Sequence, residues 1–374
     1  MAVNDDRAGA TPLIEKRSID YIPASERHGR LFSQFTLWLG ANLQITAIVT
    51  GALAVVLGGD VFWSLIGLFI GQVLGGAVMA LHGAQGPQLG LPQMISSRVQ
   101  FGVYGAVVPL VLVCLMYIGF SASGSLLAGQ AVAQLLHVDD WMGIVVFAGF
   151  IVILTIFGYR VIHGIGRLAS ALGVLAFVYL FYKLLAGNDI GALLANKHFS
   201  ISSFLLAISL SASWQIAFGP YVADYSRYLP NNTSATHTFW AIGLGSVIGA
   251  QTAMVFGVLA AALAGSQFAH HEVSFIVGLG GTGIVAALLY FAVAFGKVTI
   301  TTLNAYGSFM SVATIVSGFR GSRRIPSGVR LLYIFAMVVI ATTLALLGKD
   351  SFLKDFSAFI LFLLAFFTPW SAIN

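Results

Sequence analysis

The residues with chemistry to offer are amides, hydroxyls and aromatics set inside long apolar runs. "WLGANLQIT" carries Gly40, Asn42, Leu43 and Gln44; "SWQIAFGP" carries Trp214, Gln215 and the pair Gly219-Pro220. In "GKVTITTLNAYGS", Lys297, Thr301, Asn304 and Ser308 stand at i, i+4, i+7 and i+11, so a helix places them on one face, with Thr299 between. Tyr117, Phe120, Ser121 and Gly124, at i, i+3, i+4 and i+7, make a second, aromatic face. Amides and hydroxyls donate and accept side by side, and aromatic rings offer flat faces. Together they suit a neutral, planar, hydrogen-bonding ligand. Each group alone is explained by ordinary packing between helices; four groups together with two helix interruptions read as a site.

Other chemistries fail on context. Gly278, Gly280 and Gly283 fit G-x-G-x-x-G, but no strand precedes them and an apolar span follows, so a dinucleotide site is excluded. His270-His271-Glu272 has no further metal ligands nearby in sequence and reads as a solvated outer loop. No H-E-x-x-H or G-x-S-x-G occurs, and no nucleophile–base pair lies at depth, so the chain is not read as an enzyme and needs no cofactor. All 13 acids fall in the tail, the loops or the span ends, among them Asp60, Asp139, Asp140 and Asp224. A proton relay built on a mid-membrane carboxylate is therefore not expected. Gly67, Gly71 and Gly75 form a small-residue stripe read as helix packing.

The elements that must position these groups follow from composition. The chain is 58% hydrophobic and 8% charged, against about 25% charged in soluble domains. Apolar runs of membrane-crossing length are read at 31–57, 61–82, 103–136, 141–160, 166–186, 202–224, 238–264, 284–316, 328–347 and 353–372. The expected organisation is a polar tail over 1–30, without a cleavable signal, and one membrane domain over 31–374. With the N-terminus inside, 13 Lys and Arg fall on the cytoplasmic side, including Arg7, Lys16, Arg17, Arg98, Arg160, Arg167, Arg323 and Arg324; the outer loops hold only Lys197, Lys349 and Lys354. The net charge of +5 includes no basic run dense enough for nucleic acid, and Cys114, the only cysteine, excludes an intrachain disulfide. The expected setting is the plasma membrane, with the lipid bilayer as partner and no reading of oligomeric state.

Glycine and proline interrupt spans one and six, which correspond in two five-helix halves. Irregular backbone at that depth is tolerated where it lines a cavity. Interruptions in corresponding spans point to a midplane site between inverted repeats, with Gly219-Pro220 as hinge.

"PQLGLPQMISSRVQFGVYGAVVP" (87–109), "PYVADYSRYLP" (220–230), "WLGANLQ" and "LNAYGS" resemble the nucleobase–cation symporter-1 family, the purine–cytosine permeases, from about residue 20 onward. The resemblance implies an all-α polytopic membrane protein with a LeuT-like 5+5 inverted repeat and broken spans one and six. It implies import of a nucleobase or related heterocycle with Na⁺ or H⁺. By motif, the heterocycle would stack on Phe120, where many members carry tryptophan, and lie against Trp214 and Gln215. Asn304, assisted by Gln44, would hydrogen-bond its edge. A possible Na⁺ would take the carbonyls of Gly40 and Leu43 and the hydroxyl of Thr299. The family's last two helices are missing after Asn374, so the chain is read as C-terminally shortened.

Lys297 departs from this pattern. It lies too centrally in span eight to reach an interface and has no acid at depth to pair with. Two readings stay open: its ammonium replaces the bound cation and hands over a proton in each cycle, or it faces a water-filled vestibule without a coupling role. Among function classes, a passive facilitator or channel for small neutral heterocycles is the alternative to a secondary active transporter.

Overall fold

A computed structural model describes residues 20–157, 159–320 and 326–374. The tail as far as residue 19, Arg323 and Arg324, and the side chains of Arg160 and Arg167, lie outside the described residues. The described chain is helical: α1 (Leu31–Asn42), α2 (Ile45–Val56), α3 (Val61–Leu89), α4 (Gln93–Gly105), α5 (Val107–Leu136), α6 (Asp140–Phe157), α7 (Tyr159–Gly187), α8 (Ile190–Ala195), α9 (Ile201–Ile216), α10 (Gly219–Ser226), α11 (Ala235–Ala264), α12 (Glu272–Gly280), α13 (Ile284–Arg320), α14 (Ser327–Leu347) and α15 (Phe352–Ile373). Seven stretches among the described residues are long and apolar enough to cross a membrane, α9 and α10 together forming one. The α1–α2 pair makes an eighth, and α6 and α7 supply two shorter apolar helices.

The first break has a local cause. Asn42 turns its amide back onto the carbonyl of Trp38 (2.7 Å), and the Gln44 amide takes the carbonyl of Ala41 (2.8 Å), an acceptor that the next backbone N–H would otherwise use. Leu43 and Gln44 leave helical geometry (φ −81°, ψ 69° and φ −143°, ψ 158°), and α1 and α2 meet at 57°. The break in span six is milder. Pro220 has no N–H for the carbonyl of Ile216. The chain crosses Ala217 and Phe218 with three-residue bonds, Phe218 N to Gln215 O and Tyr221 N to Phe218 O, both 3.1 Å. α10 restarts with Pro220 in its first turn, where the missing donor costs nothing.

Two packed groups emerge. α3 lies along α9 and α11, and α11 along α1 and α2; separately, α5 lies along α13, α6 and α14. The glycine stripe fastens the first group. A Cβ at Gly67 would lie 2.9 Å from that of Ala207, one at Gly71 would strike Ser211 and the Ile208 carbonyl, and one at Gly75 would sit 2.5 Å from the Ala212 carbonyl.

Residues 103–105, read as the start of span three, end α4 instead, beyond a turn at Gly102 with φ +69°. Glu272 is not solvated: it opens α12 at 1% exposure, its carboxylate accepting from Gln130 Nε2 and from the His270 N–H (both 3.1 Å). Those two donors, one from α5, let the carboxylate be buried.

Candidate functional site

A cavity of about 670 Å³ lies at the first break, between the two packed groups. That size accommodates a small organic ligand. Of the residues singled out in the sequence, Gly40, Leu43, Gln44, Tyr117, Phe120, Trp214, Pro220, Lys297, Thr299 and Asn304 line it; Asn42, Ser121, Gly124, Gln215, Gly219, Thr301 and Ser308 do not. From the break it runs past Tyr117 and Tyr221 to Asp224, Arg227, Ser311 and Thr314, at the end of the bundle where α4 and the residue 20–30 segment lie.

Lys297 is 3% exposed, and its ammonium donates to Gln44 Oε1 (3.0 Å) and Thr46 Oγ1 (3.3 Å), across the break between α1 and α2. Thr46 donates to the same Gln44 oxygen (3.0 Å). The Gln44 oxygen thus accepts two hydrogen bonds while its Nε2 donates to Ala41 O. Gly124 gives the lysine room: a Cβ there would lie 2.7 Å from Lys297 Cε and 3.1 Å from Nζ. Asp224, at the mouth, is the only carboxylate among the lining residues, and it accepts the Gln93 N–H (2.8 Å). The negative end of the α1 dipole and the neutral oxygens of Gln44 and Thr46 are the ammonium's immediate surroundings.

Asn304 lines the cavity on the same flank of α13 as Lys297, and its amide has no hydrogen bond among the described residues. Thr299 Oγ1 is buried without a partner among the described residues; the Gly40 carbonyl already accepts from Leu43 N (3.2 Å). Phe120 and Trp214 meet edge to face, centroids 5.7 Å apart at 84°. The two rings are nearly perpendicular and leave no parallel-walled slot between them.

Gln215 is turned away, fully buried in a chain of hydrogen bonds behind the cavity. Trp214 Nε1 donates to Asn42 Oδ1 (2.7 Å), Asn42 Nδ2 to Ser246 Oγ (3.0 Å), Ser246 to Gln215 Oε1 (2.6 Å), Gln215 Nε2 to Gln72 Oε1 (2.5 Å), and Gln72 Nε2 to Met254 Sδ (2.9 Å). One neutral chain thus joins both broken spans to α3 and α11. Thr46, Tyr221, Gln72 and Ser246 were not anticipated as parts of this arrangement. A lone amide at Gln72 amid the glycine stripe was the available signal. Beside the Gly219-Pro220 break, His82 stacks on Trp370 (4.8 Å), and Gly219 leaves space for both rings.

Broken helices around one cavity, lined mostly by apolar, aromatic and neutral polar groups with Lys297 among them, are the architecture of a permease. The chain belongs to the family described as permeases for cytosine/purines, uracil, thiamine and allantoin, matched over residues 21–374. It is 39% identical over 367 residues to the putative purine-cytosine permease YxlA of Bacillus subtilis (strain 168), covering 96% of this chain and 78% of that one. It is 27% identical over 388 residues to the purine-cytosine permease fcyB of Emericella nidulans, covering 97% and 73%. Among solved structures, the inward facing conformation of Mhp1 superposes with a TM-score of 0.76 at 20% identity, covering 97% of this chain and 79% of that one. The closed form of Mhp1 with bromovinylhydantoin bound gives 0.66 at 18% identity, covering 92% and 78%. The fold is thus the LeuT-like arrangement, and the chain is a multi-pass membrane transporter.

Proposed function

We propose that this permease is a secondary active transporter that imports a nucleobase or closely related planar heterocycle with a coupled cation, by alternating access. One observation carries the reading: the cavity lies at the broken first span, between two separately packed helix groups, and is walled by Phe120, Trp214, Tyr117 and Asn304. The ring stacks on Phe120 or Trp214. Asn304, whose amide is uncommitted, hydrogen-bonds its edge. Gln215, Asn42 and Ser246 hold Trp214 in place without touching the ligand.

The positive-inside count supports a cytoplasmic N-terminus. In that orientation the cavity mouth at Asp224 and Ser311 faces the cytoplasm, so this is the releasing state. Sliding of the α5–α13 group against the α3–α9–α11 group, with flexure at Gly219-Pro220, exposes the same site to the other side. The coupling cation meets the site at the first break. The Gly40 and Leu43 carbonyls with Thr299 Oγ1 offer an oxygen set for Na⁺, and Lys297 supplies a resident ammonium beside them.

Radiolabelled uptake into proteoliposomes, with Na⁺ and pH gradients imposed separately, tests the reading. Accumulation driven by one gradient supports symport and identifies the ion. Equilibration indifferent to both gradients supports a facilitator. Lys297→Met separates the two readings of the ammonium: it abolishes pH-driven uptake if Lys297 carries the coupled charge, and leaves the coupling intact if it does not.

A further inference from the structure

Resting on that reading, we infer that the site selects oxo-substituted heterocycles, those presenting ring carbonyls, over amino-substituted ones of the same size. The inference comes from the balance of hydrogen-bonding groups on the cavity wall. Lys297 brings an ammonium with three donors and no acceptor. Two of those donors are met by Gln44 Oε1 and Thr46 Oγ1. Among the lining residues at this depth no carboxylate stands opposite, Asp224 lying at the mouth with its Oδ1 on the Gln93 N–H. The acceptor that could have served an exocyclic amine, Gln44 Oε1, is already filled by Lys297 and Thr46.

What remains free is rich in donors. The third ammonium hydrogen and the Asn304 Nδ2 group can only donate; Tyr117 and Thr299 offer hydroxyls that also donate. Among the lining side chains at this depth, Asn304 Oδ1 is the one dedicated acceptor left free; the Gly40 and Leu43 carbonyls belong to the oxygen set offered to the cation. A dioxo ring brings two carbonyl acceptors to these donors and one N–H to Asn304 Oδ1. An amino-substituted ring turns N–H groups toward an ammonium, so two donors confront each other and neither is satisfied. Buried groups left unpaired are the strong term in discriminating isosteric ligands.

The test compares matched pairs: hypoxanthine against adenine, and uracil against cytosine. Each ligand is titrated into the purified chain in detergent, and affinity is read from ligand-dependent thermal stabilisation. The expected result is at least a tenfold tighter Kd for the oxo member of each pair, with the ratio collapsing toward unity in Lys297→Met. Lys297→Gln, which restores a neutral donor and brings an acceptor, is expected to give an intermediate ratio, and it keeps the test open if Lys297→Met fails to fold. Adenine and cytosine binding as tightly as their oxo partners would overturn the inference and leave the transporter reading standing. Stabilisation by none of the four would overturn both.

Discussion

Lys297 and its neighbours concentrate what is unusual at the level of single residues. A charged group at this depth is held by geometry rather than by an ion pair, so its seat is sensitive to small changes. Gly124→Ala would bring a methyl to 2.7 Å from Lys297 Cε. The lysine is the flexible partner and swings off Gln44, so the protein is expected to fold while uptake falls by an order of magnitude or more. A size-exclusion profile and an uptake assay on the same preparation check both halves of that statement; wild-type uptake would contradict it. Asn304→Leu removes one ligand hydrogen bond of about 1 kcal/mol. It is expected to raise the half-saturation concentration about fivefold with little change in protein yield, as measured by concentration-dependent uptake.

Helices and their breaks explain both what the sequence discloses and what it withholds. The interruption in span one is legible because Asn42 and Gln44 are local causes: their side chains compete with the backbone where they stand. Pro220 is legible for the same reason. Gln215 is different. It follows Trp214 by one residue, about 100° around a helix, and pattern alone cannot say which of the two meets the cavity. That choice is made by Gln72 and Ser246, on helices distant in sequence. Glu272 was misread for the same reason, since its burial depends on Gln130 in α5. The polar chain makes its own prediction. Gln72→Leu or Gln215→Leu alone leaves a buried amide unpaired and costs about 1–3 kcal/mol. The double variant is expected to lose less than the sum, because both unpaired groups are then gone. Thermal unfolding of the four proteins in detergent decides it; strictly additive losses would mean that the two amides are not coupled.

At the scale of the whole molecule, two helix groups face each other across one cavity, which reaches Asp224 and Arg227 at one end of the bundle. Cys114 is buried, whereas Thr36 lines the cavity at that end and is exposed, so a cysteine placed there offers an accessible thiol. Thr36→Cys is expected to react with a membrane-impermeant maleimide from the cytoplasmic side, and more slowly when an inward substrate gradient holds the carrier outward-facing. Equal labelling from both sides would indicate a continuous pore. The central claim is that the two groups move to carry a heterocycle uphill. The most direct measurement is uptake of radiolabelled hypoxanthine and uracil into proteoliposomes with Na⁺ and pH gradients applied one at a time. The account predicts internal concentrations above the external one under one of the two gradients, collapsing when an ionophore removes it. Uptake that stops at equal concentrations under both gradients would contradict it.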